Sequence, residues 1–387
     1  MGLSHDLPAH GLLHPRSLAD WQRWQAARHP VRAAVRDLRS GLQGLSRRHL
    51  TLQPPSPAQR PEPGHEEVNQ GNEEGTAYLA LGSADADVLV VLDSLAPSSL
   101  LSLARPLTFL PVERVAVLSH QPADAVLPPG LRSEAVTTTQ WQRALPYVRA
   151  VAGAGDYLDL SGQAFAWARR HGHRRVVVQH GLMTPLAPPL ADDVRLLAWS
   201  QADADFWWSG RADALSTVVG SQLLWEAARA GTPVGNDGDS TDHPPVFLGQ
   251  LHGAELPWRQ MARTAERFCR ETGAVYRPHP SERDRMSRLT HALFQRRGIT
   301  VDRSGTPLAQ LQAPVVSIFS TGVLEAAARG VPAWVTCDDP PRWLRDFWAR
   351  YDMKQWGDRP TPGPSVSPTE PAAAVAAALV AAAEESS

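Results

Sequence analysis

Short, continuous apolar runs recur along most of this chain, and they constrain its fold more than any other feature. In the first half they lie at 88–92, 115–118, 176–178 and 196–199, with enough residues between them for helices. Continuous rather than alternating apolar runs are typical of strands that are buried on both faces of a mainly parallel sheet. The pattern therefore predicts an α/β domain over residues 78–235.

The same alternation restarts near residue 246 and predicts a second α/β domain over residues 245–340, after a linker at 236–244 that is rich in turn formers. Its strands are expected at 246–249, 274–276, 299–301 and 315–319, and its helices at 257–272 and 282–297. The predicted fold is thus two Rossmann-like lobes with an interdomain cleft. Ligands of such sheets bind beyond the carboxyl ends of the strands, so we expect the site there.

The two ends of the chain have a different character. Residues 1–51 are predicted to form a helical extension, 52–77 a flexible linker or loop, and 341–387 the C-terminal helices and tail. The N-terminal helix carries Trp21 and Trp24 beside a basic stripe at Arg28, Arg32, Arg36 and Arg39. Such a helix could lie on an anionic membrane surface, or it could pack against the body of the protein.

Composition limits the classes of function. A formal net charge of −2 argues against a general nucleic-acid binder, because such proteins need a basic surface to neutralise phosphates. The chain has no apolar run long enough to span a membrane and no evident secretory signal. Its two cysteines are far apart, which fits a reducing compartment. We expect a cytoplasmic protein, with peripheral contact at the inner face of the membrane through the N-terminal helix as an open alternative.

Hydroxyl side chains mark the end of the predicted strand at 315–319. Ser320 and Thr321 precede Gly322 and an Ala-rich helix. A helix start offers free backbone N–H groups and the positive end of the helix dipole, so these hydroxyls either cap the helix or help to bind a phosphate. Glu325 lies one turn later and could accept hydrogen bonds from a ribose.

Two histidines stand directly after predicted strands. The first is His180, which lies between Gln179 and Gly181 on the side of the cleft where we expect an acceptor. Glycine at 181 would let the backbone turn sharply and a ligand approach closely. An imidazole that titrates near neutrality could take a proton from an acceptor hydroxyl, or it could hydrogen-bond its own loop. Asp93, at the end of an earlier strand, is the reserve candidate for the base.

The second is His279, within an Arg-Pro-His-Pro turn that runs from Arg277 to Pro280 and precedes a helix. The two prolines fix this turn, so the imidazole and the guanidinium could be aimed at a phosphate with little loss of entropy. Both could then bind a diphosphate or stabilise it as a leaving group. The alternative is a rigid helix-entry turn with a solvated arginine.

The order of these motifs resembles that of GT-B-type nucleotide-dependent transferases of bacterial surface polymers, over roughly residues 175–335. A strand-ending His-Gly, an Arg-Pro-His-Pro turn and a strand–Ser/Thr–helix–Glu segment are similar to motifs of the CDP-glycerol glycerophosphotransferases. Capsule polysaccharide transferases and bacterial sialyltransferases share the His-Pro and the Ser/Thr segments of these motifs. Here Gln-His-Gly-Leu-Met-Thr-Pro, from Gln179, stands where the glycerophosphotransferases have Trp-His-Gly-Thr-Pro, and the acidic base motif of the sialyltransferases is not evident.

The resemblance implies that His180 is the candidate base and that His279 faces the donor phosphates. It also implies that Ser317, Ser320 and Thr321 hold the nucleotide phosphate. The implied reaction moves a sugar or a polyol phosphate from a CMP-, CDP- or UDP-linked donor to a glycan or lipid-linked acceptor of the cell surface.

We expect no cofactor and no catalytic metal ion. The pairs Asp85/Asp87 and Asp203/Asp205 do not follow strands, and positive charge from the Arg-Pro-His turn and the helix start could serve the leaving group. Two alternatives stay open: a nucleotide-sugar epimerase of the same architecture, and a non-catalytic scaffold in glycan assembly.

Overall fold

The computed structural model describes residues 7, 8, 10–28, 77–231, 243–253 and 255–385. These form two lobes, one around an eight-stranded sheet and one around a four-stranded sheet, with helices near both ends of the chain. The predicted fold class, two α/β lobes with terminal helices, is confirmed.

The first lobe is built on a mainly parallel sheet. Its strands are β1 Ala77–Leu81, β2 Val88–Leu92, β3 Val115–Ser119, β4 Ser133–Val136, β5 Ala150–Gly153, β6 Arg174–Val178, β7 Val194–Ala198 and β8 Leu215–Val218, in the spatial order β4-β1-β3-β2-β5-β6-β7-β8. Only β1 pairs antiparallel, with β3 and β4. Val90 of β2 pairs with Val117 and Ala152, and every residue of β2 is buried. Both faces of this strand are covered, which explains its continuous apolar run.

Helices and helical turns connect these strands. The helices of this part of the chain are α1 Leu18–Arg28, α2 Thr138–Ala144, α3 Asp159–His171, α4 Gln201–Trp208 and α5 Gln222–Ala230, and an irregular helical segment after β2 comprises Pro97–Ser99, Leu100–Ala104 and Arg105–Phe109. Helix α3 ends where Gly172 adopts a left-handed conformation with φ of 74°, which is the usual geometry of a glycine C-cap.

The second lobe has an all-parallel sheet. Its strands are β9 Val246–Leu248, β10 Val275–Arg277, β11 Val315–Ser317 and β12 Ala333–Val335, in the order β10-β9-β11-β12, with helices α6 Trp258–Thr272, α7 Arg285–Arg296 and α8 Thr321–Ala328. The strand expected at 299–301 is reduced to one bridge between Tyr276 and Val301. The chain leaves the sheet there, because the Asp302 side chain accepts from the Ser304 amide N–H and turns the backbone into a loop.

Several elements of the first lobe have no counterpart among the predicted strands. Strand β1 begins at Ala77, the last residue of the predicted linker, and residues 52–76 lie outside the described part. All four residues of β8 are exposed, and β4 is only half-buried at best. Strands β4 and β8 lie at the two edges of the sheet, where burial does not impose an apolar run.

The C-terminal segment returns to the first lobe. Helix α9, Arg342–Arg350, belongs to the second lobe, whereas α10, Pro371–Glu384, packs on the first sheet and contributes Val375 and Leu379 to its core. Ion pairs flank this helix, from Arg105 to Glu370 at 3.0 Å and from Arg195 to Glu385 at 2.9 Å. The chain therefore passes between the lobes twice.

Helix α1 packs against the body of the protein. The Trp21 indole N–H donates to the Leu186 carbonyl and its ring lies edge-on to Tyr157. Trp24 packs against the core of the second lobe. Of the predicted arginine stripe only Arg28 is described, and the other three arginines lie outside the described residues. No helix in the described ranges combines the length and apolarity needed to cross a membrane.

Candidate functional site

Two histidines are stacked at the carboxyl end of the second sheet. His279 follows β10 and His252 follows β9, and their ring centroids are 3.9 Å apart with planes inclined by 19°. These strands are neighbours in the sheet, so the loops after them lie side by side. We call the two rings the histidine pair.

Hydrogen bonding sets the tautomer of His279. Its Nδ1 accepts from the Ser281 amide N–H at 3.1 Å, so in the neutral ring Nε2 carries the proton. His279 is exposed at the loop surface, but desolvation by the groups around its ring and the adjacent His252 ring lower its pKa to about 4, and the Glu282 carboxylate opposes this shift. Burial also lowers the pKa of His252. The pair is therefore neutral near pH 7 and presents an N–H donor, and a bound anion would favour its protonation.

A buried carboxylate holds the two loops together. Glu282, whose side chain is 0% exposed, accepts from the Leu251 amide N–H at 3.0 Å and from the Tyr276 hydroxyl at 2.9 Å. Its Oε2 also lies 2.8 Å from Nε2 of His291. At Gly249 an added Cβ would lie 2.4 Å from the Tyr276 hydroxyl, so only glycine fits beside this network. The network fixes the backbone on both sides of the histidine pair.

The rest of the Arg-Pro-His-Pro turn is arranged differently from the sequence prediction. The Arg277 guanidinium donates to the Thr306 carbonyl and lies 3.7 Å from the Asp302 carboxylate, so its donors are turned towards the loop after Val301. This leaves the predicted phosphate contact of Arg277 without support in this conformation. Pro280 is exposed at the turn.

The start of α8 is the third component of this edge, because β11 pairs with β9 on the side away from β10. Ser320 is the N-cap of the helix, and its hydroxyl accepts from the Gly322 amide N–H at 3.1 Å. A Cβ on Gly322 would lie 2.6 Å from a Leu248 methyl carbon, so a larger residue there would force the Leu248 side chain to shift. Thr321 and Glu325 are half-buried, and burial raises the pKa of the Glu325 carboxyl while Arg329 opposes that shift.

Ser317 does not belong to this group of hydroxyls. It is fully buried, and its hydroxyl donates within the lobe, to the Leu248 carbonyl at 3.0 Å and to Oε1 of Gln250 at 2.9 Å. The same Gln250 oxygen accepts from the amide N–H groups of Ile318 and Phe319. The side chain of the last strand residue points into the lobe, so this geometry gives no support to the prediction that Ser317 holds a phosphate.

In the first lobe, Asp93 is a helix cap. Its carboxylate accepts from the amide N–H groups of Leu160 and Ser161, at 2.9 and 3.2 Å, and from the Ser161 hydroxyl. These groups are at the start of α3, where a negative charge is favourable. His120 lies beside it, with Nε2 3.7 Å from Oδ1. The carboxylate is thus occupied, and the base role of Asp93 has no support from this geometry.

His180 is held by the residue before it. The Gln179 side chain, which is 1% exposed, donates to the Gly181 carbonyl at 2.9 Å and accepts from the Trp199 amide N–H at 2.8 Å. It therefore braces the loop after β6 against the end of β7 and is not open to an acceptor. Gly181 does not need to be glycine for its conformation, since its φ is not positive and a Cβ there would meet open space.

The His180 imidazole is half-buried, and its Nδ1 has no hydrogen-bond partner among the described residues. Burial lowers the pKa of His180, opposed by the Val178 carbonyl and the Asp93 carboxylate. The ring is therefore neutral at pH 7, and a neutral imidazole can accept a proton. Its predicted role as base stays a prediction.

Two histidines at the strand ends, His120 and His252, were not among the predicted site residues. His120 directly follows the last residue of β3, and His252 lies four residues after β9. The sequence pattern could have identified both, because each follows a predicted strand. The pairing of His252 with His279, however, depends on the order of strands in the second sheet.

The lobes meet at a polar contact near the loop after His180. The Tyr351 hydroxyl, just after α9, donates to the buried Asp203 carboxylate and accepts from the Met183 amide N–H at 2.9 Å. Arg350 donates to the Met183 carbonyl, and its guanidinium carbon lies 3.6 Å from the centroid of the Phe206 ring. We call this the Tyr351 contact.

Beside the Tyr351 contact lies a pocket of about 250 Å³ between the lobes. Its lining includes Leu182, Trp199, Ser221, Trp225, Leu324 and Tyr351. None of the site residues predicted from the sequence lines it, although Leu182 follows Gly181 and Leu324 precedes Glu325.

Comparisons with known proteins give structural likenesses only. No protein-family model matches the chain, and neither does any curated protein sequence. The UDP-GlcNAc 2-epimerase from Methanocaldococcus jannaschii matches with 12% identity over 76% of this chain and 99% of that one, with a TM-score of 0.41. Anabaena Alr3699/HepE in complex with UDP-glucose matches with 14% identity over 78% and 98%, also at 0.41. Thermosulfurimonas dismutans KpsC, a beta Kdo 2,4 transferase, matches with 16% identity over 60% and 80%, at 0.28. These values do not establish a family for the chain.

Proposed function

We propose that this protein is a transferase that moves a sugar or a polyol phosphate from a nucleotide-activated donor to a glycan or lipid-linked acceptor. The observation that supports it best is the histidine pair, which lies in the loops next to the start of α8 at one edge of the second sheet. Two imidazoles and a helix start together suit a diphosphate. In this proposal His252 and His279 bind the donor phosphates, and Thr321 and Glu325 contact the phosphate and the ribose.

The first lobe supplies the base in this proposal. His180 is neutral because burial lowers its pKa, and Nδ1 has no partner within the described residues. A neutral imidazole can take the proton from an acceptor hydroxyl as that oxygen attacks the donor. The leaving nucleotide would gain charge, and the N–H groups of the neutral histidine pair would donate hydrogen bonds to it.

Calorimetric titration with CMP, CDP, UDP and GDP tests the binding part. We expect at least one nucleotide to bind, and His279→Asn to weaken it by roughly 10- to 100-fold, since a hydrogen bond to a charged group contributes about 1.5–3 kcal/mol. His180→Asn should leave the affinity unchanged and abolish turnover. The matched control is His173→Asn, because His171 and His173 are also stacked, with centroids 5.6 Å apart, but both precede β6 and so lie at the opposite end of a strand.

The products distinguish the reactions. If the protein forms an isomeric nucleotide sugar from an activated sugar in the absence of an acceptor, it is an epimerase and the proposed transfer is wrong. Full turnover by His180→Asn would remove the base role. If no nucleotide bound the wild-type protein, the proposal would give way to a non-catalytic scaffold.

A further inference from the structure

Helix α7 exposes three large apolar side chains to solvent. Met286, Leu289 and Leu293 are 53%, 56% and 41% exposed and follow one another at helical spacing. The buried face of the same helix carries Ser287, Thr290, His291 and Phe294, of which three are polar. An exposed stripe of three large apolar side chains indicates a surface that contacts something else.

Arginines border this stripe. Arg283, Arg285, Arg288 and Arg296 are all exposed, and none of the four forms an ion pair within the described part of the chain. At 100° per residue, Arg285 and Arg296 lie next to Leu289 on the outer face, and Arg288 lies beyond them. The outer face of α7 thus has an apolar half and a basic half.

The acidic residues nearby do not neutralise this charge. Residues 258–303 contain eleven arginines and five acidic residues, although the whole chain has a net charge of −2. Glu266 and Glu271 pair with Arg297 and Arg267, and Asp302 lies beside Arg277. Asp284 caps α7, and the buried Glu282 accepts a hydrogen bond from the Tyr276 hydroxyl. Each of the five is already engaged.

We propose that the outer face of α7 is a contact surface for anionic lipid headgroups. A helix that lies in a membrane interface needs apolar side chains that enter the acyl boundary and cationic side chains that meet the headgroups, and α7 has both on one side. A nucleic acid would use the arginines but would leave the apolar stripe in water. This surface is separate from α1, whose two tryptophans pack within the protein.

The contact would also orient the protein. Helix α7 begins after the turn that carries His279, so Met286 lies at the end of the helix nearest the carboxyl edge of the second sheet. A membrane bound along α7 would therefore lie next to the loop of the histidine pair. The lipid contact itself does not depend on the proposed transferase reaction.

Co-sedimentation of the full chain with vesicles tests the proposal. We expect binding to phosphatidylcholine vesicles that contain phosphatidylglycerol, and little binding to phosphatidylcholine alone. Replacing both leucines, as Leu289→Ser with Leu293→Ser, should weaken binding by roughly tenfold or more, because two apolar side chains no longer enter the interface. Both are exposed, so the unfolding midpoint should not change.

The matched control is Leu215→Ser with Val218→Ser, on edge strand β8, where the side chains are 55% and 49% exposed. This variant should bind vesicles like the wild type. Equal affinity for neutral and anionic vesicles, wild-type binding by the α7 variant, or no binding to either vesicle would each overturn the proposal. Nucleotide affinity, measured in the same preparations without vesicles, reports separately on the proposed function.

Discussion

At the second-lobe edge a single carboxylate, that of Glu282, contacts three different parts of the lobe. Tyr276 belongs to β10, His291 to α7, and Leu251 to the loop that leads to His252. Burying a carboxylate is costly unless its oxygens are satisfied, and here they receive their partners from the elements that the histidine pair must bring together. One buried side chain therefore links the stability of the lobe to the geometry of the site.

Glu282→Gln tests this link. The amide keeps the shape but replaces one acceptor oxygen with a donor, so one partner is left unsatisfied, and we expect the free energy of unfolding to fall by about 1–3 kcal/mol. The control is Glu266→Gln, which removes a partly exposed ion pair with Arg297 and should cost no more than about 1 kcal/mol. Equal losses in urea unfolding would contradict the special role of Glu282.

The histidine pair also predicts how stability depends on pH. Unfolded histidine titrates near a pKa of about 6.5, whereas the pKa of folded His279 is lowered to about 4. Between these values the unfolded chain binds a proton that the folded chain does not, so the free energy of unfolding falls as pH falls. His279→Asn should make this dependence shallower, as measured by urea unfolding at several pH values from 7.5 to 4.5. An unchanged slope would show that His279 does not contribute.

At the scale of elements, the Tyr351 contact joins the end of α9 to the start of α4. Asp203 is 1% exposed and also accepts from the Ser200 hydroxyl at 2.9 Å, so its carboxylate depends on two hydroxyl donors. Burial raises the pKa of Asp203, and the hydrogen bonds from Tyr351 and Ser200 oppose that rise. Contact between the lobes is thus coupled to the ionisation of a buried acid.

Removing the hydroxyl in Tyr351→Phe should lower the free energy of unfolding by roughly 1–3 kcal/mol, because Asp203 loses a donor and the Met183 amide loses its acceptor. Tyr147→Phe is the matched control, since Tyr147 is 57% exposed and should change stability little. Chemical denaturation of both variants gives the comparison. A loss in Tyr351→Phe no larger than that in the control would show that the contact contributes no stability.

The sequence predicts strands well where burial leaves a long continuous apolar run, and it misses strands without one, including the short buried strand β5. Strands β2, β3, β6 and β7 are buried on both faces, and their apolar runs were sufficient to predict them. Strand β8, Leu-Ser-Thr-Val at an exposed edge, carries no such pattern. The direction of a side chain could not be predicted from the sequence either. Ser317 and Ser320 are three residues apart, yet Ser317 points into the lobe and Ser320 caps α8.

At the scale of the molecule, the two-lobed architecture could be predicted because each lobe repeats the same local alternation of strand and helix. The proximity of His252 to His279 could not be predicted in the same way. It depends on β9, Val246–Leu248, lying beside β10, Val275–Arg277, although 26 residues separate the two strands along the chain. Residues at strand ends can thus be identified from the sequence, whereas the order of strands in the sheet decides which of them meet.

Helix α10 has a consequence for how the protein is made. The core of the first lobe includes Val375 and Leu379. Along the chain, the whole second lobe lies between these two residues and the rest of the first lobe. During synthesis the amino-terminal lobe emerges from the ribosome first but must wait, with part of its apolar surface uncovered, until translation has passed residue 379. Completion of this core therefore depends on a segment of the chain that is made only after the whole of the second lobe.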